Sequence, residues 1–212
     1  MNSKIGRIRP AQIAVAAVAA LLLAACGGGG DDKASSGANS AATPSASASR
    51  GASESAHNAQ DVTFAQGMIP HHRQAVEMAA LAADRASSAQ VKALAGRIQQ
   101  AQDPEIETMS GWLKAWGEDV PAEKADHSEH AGMTGMAGMM DDAAMKELES
   151  ASGAKFDTRF MEMMIEHHEG AIEMAETEKA KGSYAPALAL SDAIVTAQQA
   201  EIAEMKGFLG KK

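Results

Sequence analysis

One stretch of the chain occurs twice, at a constant offset of 96 residues. The first copy runs from DVTF at residue 61 to HHRQAVEMA at residue 71, and the second runs from DTRF at residue 157 to HHEGAIEMA at residue 167. The correspondence continues without a gap to Leu113 and Leu209. Duplicated apolar positions predict two copies of one structural unit. The duplicated histidines, methionines and glutamates indicate that a site was duplicated with it.

Apolar residues recur with helical spacing in both copies, and no segment shows the period-two alternation that is typical of strands. We expect four long helices and a short one in the connection between the copies, over residues 61–84, 88–116, 157–181, 185–209 and 141–150. Asp61 and Asp157 are the predicted N-caps of the first helix in each copy. Two helical hairpins of equal length pack most simply as an antiparallel four-helix bundle, so the predicted fold is all-α.

Residues 1–25 have the layout of a bacterial lipoprotein signal. A basic start precedes an apolar run over 11–24, which is shorter than the about 20 residues that a membrane span needs. The small residues before Cys26 resemble a lipobox, which implies cleavage before Cys26, lipidation of its sulfur and attachment to the outer face of the cell membrane. An uncleaved anchor or a plain secretory signal is the alternative, and either one also places the domain outside the cytoplasm.

Composition divides the rest of the chain into a predicted disordered tether over 26–59 and a folded domain over 60–212, whose repeats span about 61–116 and 157–210. The tether is rich in Gly, Ser and Ala and has too few apolar residues to form a core. Removing 1–25 removes three basic residues and no acidic one, so the net charge goes from −9 to −12, which disfavours nucleic-acid binding. Cys26 is the only cysteine, so a metal site in the domain would use His, Met and carboxylates.

The helical histidines and glutamates are the first candidate ligands. His71 and His72 lie about 100° apart on their helix, so each is expected to work with a Met one turn earlier or with a facing helix. Glu105 and Glu201 fall on the inner face of the partner helices, where a carboxylate is costly unless it is paired or bound to a cation. They could bind a metal with the histidines or orient them. The candidate bundle ligands are Met68, His71, His72, Met164, His167, His168, Glu105 and Glu201.

Packing alone offers an alternative interpretation of the same residues. The histidines and glutamates would then form a buried network that fixes the bundle. The methionines with no histidine one turn later are expected to be core fillers. These are Met78, Met109, Met174 and Met205.

The connection between the repeats supplies a second candidate set. Residues 126–145 read DHSEHAGMTGMAGMMDDAAM, in which glycines separate the methionines, so we expect a mobile and exposed segment. Thioether and imidazole suit copper, and thioether favours Cu(I). Low-complexity drift and oxidant scavenging by exposed methionine are the alternatives. The candidate ligands in this connection are His127, His130, Met133, Met136, Met139 and Met140.

The motif M-x-x-HH-x-x-A-x-E-M-A, present twice, with E-I-x-x-M on the partner helices, resembles the family named domain of unknown function 305. The resemblance covers about residues 60–210 and includes the stretch ASGAKFDTRFMEMMIEHHEGAIEMAE. It implies a ferritin-like four-helix bundle and an association with copper outside the cytoplasm. The positions that match the family motif are Met68, His71, His72, Met164, His167 and His168.

Three functions fit these features. The first is a lipoprotein that binds Cu(I) and buffers, sequesters or hands on the ion, with no turnover. The second is a ferritin-like di-metal oxidase, and the third is a helical interaction module that binds no metal. Di-metal bundles use Glu-x-x-His. The residues three positions before the four histidines are Met68, Ile69, Met164 and Ile165, which disfavours the oxidase.

Overall fold

The computed structural model describes residues 56–122 and 136–210. The predicted signal and tether up to residue 55 lie outside this range, as do Cys26, His127, His130 and Met133. The described residues form five helices, which are α1 (Ala59–Arg85), α2 (Ala89–Trp116), α3 (Asp142–Ser150), α4 (Gly153–Lys181) and α5 (Ala185–Phe208). The predicted all-α fold is confirmed. Every helix bound lies within two residues of its prediction, except that α4 begins four residues earlier.

The prediction that Asp61 and Asp157 are N-caps is wrong. Asn58 caps α1, because its side chain accepts hydrogen bonds from the backbone N–H of Gln60 and Asp61 while Asp61 accepts from the Asn58 N–H at 2.6 Å. Helix α4 begins at Gly153, after Ser152. Asp61 therefore lies in the first turn of α1 and Asp157 in the second turn of α4, and both carboxylates reach beyond their helices.

Each of these aspartates bonds to the turn of the other hairpin. The Asp157 carboxylate accepts from the backbone N–H of Ser87 at 3.1 Å and of Ser88 at 3.0 Å, between α1 and α2. The Asp61 carboxylate accepts from the backbone N–H of Ser183 and Tyr184, both at 3.0 Å, between α4 and α5. The start of α1 thus meets the end of α4, and the start of α4 meets the end of α1, so these two helices are antiparallel neighbours.

Helices α1 and α4 form the centre of the domain, with α2 packed on α1 and α5 packed on α4. Aromatic residues are scarce, so methionine supplies much of the core volume. The fully buried methionines, all 0–1 % exposed, are Met68, Met78, Met109, Met163, Met164 and Met205. The prediction that Met78, Met109 and Met205 are buried in the core agrees with this, whereas Met174 is only partly buried.

The end of the connection packs on the bundle. Leu148 of α3 is fully buried in the same apolar cluster as Phe156 and Phe160, and Met140 packs against that cluster. Residues 136–140 are therefore part of the folded domain. Across 56–122 and 136–210, none of the helices carries an apolar stretch of the length needed to cross a bilayer.

Candidate metal centre

The central contact between the repeats is a pair of histidines. The rings of His71 on α1 and His167 on α4 have their centroids 3.8 Å apart with an angle of 47° between planes, and both side chains are buried. They occupy equivalent positions in the two repeats, so their contact lies near the approximate two-fold axis that relates the repeats. The structure thereby brings the two predicted half-sites together.

The second histidine of each motif bonds to a glutamate within its own hairpin. The Nε2–H of His72 donates to Glu105 at 2.7 Å, and the Nε2–H of His168 donates to Glu201 at 2.7 Å. Both histidines are fully buried, while the glutamate side chains are 20 % and 17 % exposed. The carboxylates therefore lie at the edge of the bundle with one oxygen turned inward. Each one fixes the tautomer and the orientation of its imidazole.

The buried imidazoles keep ring nitrogens that make no hydrogen bond. Among the described residues, no partner exists for Nδ1 of His71, His72 or His168, nor for either ring nitrogen of His167. A buried polar atom without a partner costs about 1–3 kcal/mol, so five such atoms in one place call for an explanation. When Nε2 of a neutral imidazole carries the hydrogen, Nδ1 carries a lone pair, which is the group that a metal ion binds.

The two central histidines are held in the neutral form. Burial, followed by the neighbouring His72, lowers the pKa of His71 to about 3, even though its bond to the Ala137 carbonyl acts in the opposite direction. Burial, followed by the neighbouring His71, His168 and His72, lowers the pKa of His167 well below its usual value, even though the backbone of His71 acts in the opposite direction. Both imidazoles are thus uncharged at pH 7, and a metal ion would not have to displace a proton from them.

The candidate sulfur ligands of the bundle lie in the core on the same helices. Met68 and Met164 each precede a central histidine by three residues, which places them on the same side of the helix within one turn, and both are 0 % exposed. Within the described residues, no three His, Cys, Asp or Glu side chains come together as one ligand set. Thioether sulfur is the soft donor that Met68 and Met164 would supply to an ion at the His71–His167 pair.

The end of the Met-rich connection crosses this site. Met136, Met139 and Met140 are partly buried, so the prediction of an exposed segment is wrong for residues 136–140. The Ala137 carbonyl oxygen accepts a hydrogen bond from Nε2–H of His71 at 3.2 Å. The glycines of this segment let its backbone approach the helices closely, so glycine does not indicate mobility here.

Sequence reasoning missed the residues that hold this segment in place. Gln74 bonds to the backbone of Met140, and Gly170 lies against Ala137. A signal was present in the repeat itself, because HHRQ in the first copy becomes HHEG in the second. A residue that differs between otherwise similar repeats indicates a position where the two halves make different contacts.

The chain is similar in sequence and in structure to known proteins of one family. The profile of the family described as domain of unknown function (DUF305) matches residues 61–209. No curated protein matches the chain significantly. A candidate secreted DUF305 protein from Streptomyces coelicolor is 33% identical, with a TM-score of 0.63 over 72% of this chain and 95% of that one. A DUF305 fragment from Deinococcus radiodurans is 31% identical, with a TM-score of 0.63 over 72% of this chain and 97% of that one.

The protein CopM is similar as well. Its Cu(I)-bound form is 32% identical, with a TM-score of 0.58 over 70% of this chain and 94% of that one. CopM is also known in Cu(II)-bound and Ag-bound forms. Family profile, sequence identity and helical arrangement agree over the whole described domain. The chain belongs to the DUF305 family.

Proposed function

We propose that this protein binds copper as Cu(I) outside the cytoplasm and buffers, sequesters or hands on the ion. The observation that carries the proposal is the buried His71–His167 pair, whose ring nitrogens have no partner within the described residues apart from the Ala137 carbonyl. Such nitrogens are costly in an apolar core, and a bound ion would satisfy them.

The donor chemistry favours a soft ion. Neutral imidazole and thioether suit Cu(I), whereas hard cations such as Mg²⁺ prefer oxygen ligands. The Cu(I)-bound and Ag-bound forms of the related CopM support this choice, since both ions are soft and monovalent. In the proposed bundle site, His71, His167, Met68 and Met164 bind the ion.

The proposal assigns the other candidates two further roles. His72 and His168 contribute through Nδ1, while Glu105 and Glu201 orient them by accepting their Nε2–H. The connection gathers or delivers the ion with the donors His127, His130, Met133, Met136, Met139 and Met140.

Attachment to the membrane belongs to the proposal too. We expect cleavage before Cys26 and lipidation of its sulfur, so that the domain is held at the outer face of the membrane by a tether of about thirty residues. The related protein from Streptomyces coelicolor, a candidate secreted protein, supports a location outside the cytoplasm.

A competitive titration tests the copper proposal. The purified protein is titrated with Cu(I) against a chelator of known affinity, alongside a variant that combines His71→Asn and His167→Asn. We expect the wild type to bind with a dissociation constant far below about 1 μM and the double variant to bind at least tenfold more weakly. His57→Asn is the matched control, because His57 stacks on Trp116 with ring centroids 4.3 Å apart and is not among the proposed ligands.

Other results would favour the alternatives. Binding weaker than about 1 μM for every metal ion tried would favour the interaction module. Bound iron with oxygen consumption would favour the di-metal oxidase. Wild-type affinity in the double variant, with loss on replacement of the methionines in the connection, would move the site out of the bundle.

A further inference from the structure

Residues 136–140, here called the strap, lie across α1 and α4 next to the central histidine pair. We propose that Gln74 and Gly170 are positioning residues that seat the strap, so that Ala137 fixes the imidazole of His71 while that of His167 stays free. The two halves of the duplicated site are then unequal, and the seating of the strap sets the affinity for the ion. This inference rests on the proposed function and deepens it.

Gln74 holds the strap to α1 with both ends of its side-chain amide. Its Nε2 donates to the backbone carbonyl of Met140 at 2.9 Å, and its Oε1 accepts from the Met140 N–H at 2.8 Å. The glutamine amide supplies one donor and one acceptor, and both are used on the same residue. Gln74 is 7 % exposed, so these bonds are largely shielded from water. The strap is thus paired to α1 as a strand would be to its neighbour.

Gly170 lets the strap rest directly on α4. A Cβ added at Gly170 would overlap the carbonyl group of Ala137 and lie 2.7 Å from the backbone nitrogen of Gly138. Gly138 adopts a φ of 76°, and a Cβ there would lie 2.7 Å from the carbonyl oxygen of Glu166 and 2.9 Å from that of His167. The neighbouring atoms belong to backbone, which cannot rotate away as a side chain can. Any side chain at residue 170 must therefore lift the strap.

Differences between the two repeats show which of two orientations the strap can adopt across α1 and α4. Gln74 and Gly170 are equivalent positions, as are Gly67 and Met163. If the strap bound in the opposite orientation, related by the two-fold axis, Gly170 would lie where the strap bonds to an amide. Gln74 would then lie where the strap contacts a residue without a side chain. Met136 of the strap lies close to Gly67 of α1, since a Cβ at Gly67 would lie 3.3 Å from the methyl carbon of Met136. This contact also favours the observed orientation, because the equivalent residue in the second repeat is methionine. The strap therefore seats in one orientation only.

Seating the strap makes the central histidines different. The Ala137 carbonyl can only accept, so Nε2 of His71 carries the hydrogen and Nδ1 carries the lone pair. Within the described residues neither ring nitrogen of His167 makes a hydrogen bond of normal geometry, and the backbone of His71 is the weakest of the influences on its pKa. His71 is thus set in advance to bind through Nδ1, whereas His167 adjusts when the ion arrives. A ligand fixed in its bound orientation loses less conformational freedom on binding, which raises affinity.

The test compares Gly170→Ala with Gly96→Ala in the full chain. Both replace a glycine inside a helix and favour the helix alike, but a Cβ at Gly96 meets nothing within 4 Å. Gln74→Leu is the second variant, because it removes both bonds to Met140 without adding bulk at α4. In the metal-free protein, ¹⁵N NMR reports the tautomers of His71 and His72, and hydrogen exchange reports the Met140 amide.

We expect Gly170→Ala and Gln74→Leu to expose the Met140 amide to exchange and to release the Nε2–H tautomer of His71. The tautomer of His72, which Glu105 holds, should stay as it is. Cu(I) affinity should fall at least tenfold in both variants and stay within twofold of wild type in Gly96→Ala. A general loss of structure would shift both histidines, so the selective change at His71 separates positioning from folding.

Two results would overturn the inference. The first is an unchanged tautomer of His71 in both variants. The second is a changed tautomer with a Cu(I) affinity within twofold of wild type, which would leave the proposed function standing. If the wild type itself bound no Cu(I), the proposed function would fail, and the metal-free tautomer would still decide whether Gln74 and Gly170 position His71.

Discussion

At the scale of single residues, the four helical histidines form two kinds of pair. His72 and His168 each bond to a carboxylate at 2.7 Å, whereas His71 and His167 contact each other across the repeat axis. The helical wheel predicted that neighbouring histidines would work apart, and it placed Glu105 and Glu201 on the inner face. Orientation of the histidines by these glutamates was one of the alternatives, and the two bonds agree with it. The contact between His71 and His167 could not be predicted, because contacts between helices depend on how the whole domain packs.

The carboxylates provide the first prediction at this scale. Glu105→Gln and Glu201→Gln keep the size of the side chain but remove the charge that fixes the Nε2–H tautomer. We expect the double variant to bind Cu(I) about tenfold more weakly, since loss of a partner that orients a ligand typically costs 10–100-fold. Competitive titration measures this. Glu107→Gln, at an exposed position on α2, is the control, and equal affinities for all three proteins would contradict the assignment.

Thioether ligation gives the second prediction. Met68→Leu and Met164→Leu conserve volume in the core, so each should change the free energy of unfolding by less than about 1.5 kcal/mol. Leucine has no donor atom, and Cu(I) affinity should therefore fall by about tenfold or more, the range seen even for outer partners of a metal. Met78→Leu and Met109→Leu, also 0 % exposed, are matched controls for which stability and affinity should both persist. If Met68→Leu behaved like these controls, Met68 would be a core filler.

At the scale of helices and turns, the two repeats differ where α4 meets the α4–α5 turn. Asp61 and Asp157 each accept backbone hydrogen bonds from the opposite turn, but the residue equivalent to Ala82 is Glu178. Glu178 is 0 % exposed and contacts Asp61, and the side chain of Gln60 is the neutral group that interacts with its carboxyl. Two carboxyl groups this close share a proton.

Their pKa values move in opposite directions. Burial, followed by the hydrogen bond and negative charge of Asp61, raises the pKa of Glu178 to about 8. Burial alone would raise the pKa of Asp61, but hydrogen bonds from Glu178 and from the backbone of Asn58, Tyr184 and Ser183 outweigh it and lower this pKa to about 2. Near neutral pH the proton therefore resides on Glu178.

A pH dependence of stability follows as the third prediction. The contribution of Glu178 to the free energy of unfolding is complete below the pKa of about 4.5 that this group has in the unfolded chain. It is lost as pH rises through about 8, the pKa in the folded protein. The contribution of Asp61 acts in the acid range, where it is present above about 4 and lost as pH falls through about 2. We expect the free energy of unfolding to fall between pH 5 and 9 by on the order of 4 kcal/mol more in wild type than in Glu178→Gln.

Urea denaturation at several pH values measures this difference. Gln cannot ionise, so Glu178→Gln should remove the part of the pH dependence of the free energy of unfolding that is due to Glu178. Glu176→Gln, at an exposed position, should keep it. Parallel pH profiles for wild type and Glu178→Gln would show that no proton is shared at this turn.

Local pattern predicted the helices but not what joins them. Apolar spacing placed four of the five helices within two residues of their bounds, because that spacing records which face is buried. Asp61 and Asp157 were predicted as N-caps from residue type alone, whereas their partners lie in the opposite hairpin. The prediction that the strap is mobile failed because glycine occurs both in flexible linkers and where two backbones approach closely, and the sequence alone does not distinguish the two.

At the scale of the whole molecule, duplication places equivalent residues face to face at the centre of the bundle. Helices α1 and α4 are antiparallel neighbours, so His71 meets His167, and one buried site arises from two copies of one motif. The sequence repeat predicted the duplication of the site. It could not predict that the two copies would meet, since this requires the turn contacts made by Asp61 and Asp157.

A bound ion should stabilise the whole domain. An ion at one hundred times its dissociation constant adds about 2.7 kcal/mol to the free energy of unfolding, provided that it binds only the folded state. The fourth prediction is that Ag(I), a redox-inert soft ion, raises the thermal midpoint of the wild type but not that of the His71→Asn, His167→Asn double variant. Differential scanning calorimetry measures both. An equal rise in the two proteins would place the ion elsewhere.

Titration of ¹⁵N-histidine-labelled protein with Cu(I), followed by NMR of the imidazole nitrogens, tests the central claim most directly. Cu(I) is diamagnetic, so each ring nitrogen can be observed separately. We predict that Nδ1 of His71 and one ring nitrogen of His167 shift together with the first equivalent of Cu(I), while His57 does not move. Saturation of the protein with Cu(I) while the His71 and His167 resonances stay in place would contradict the account.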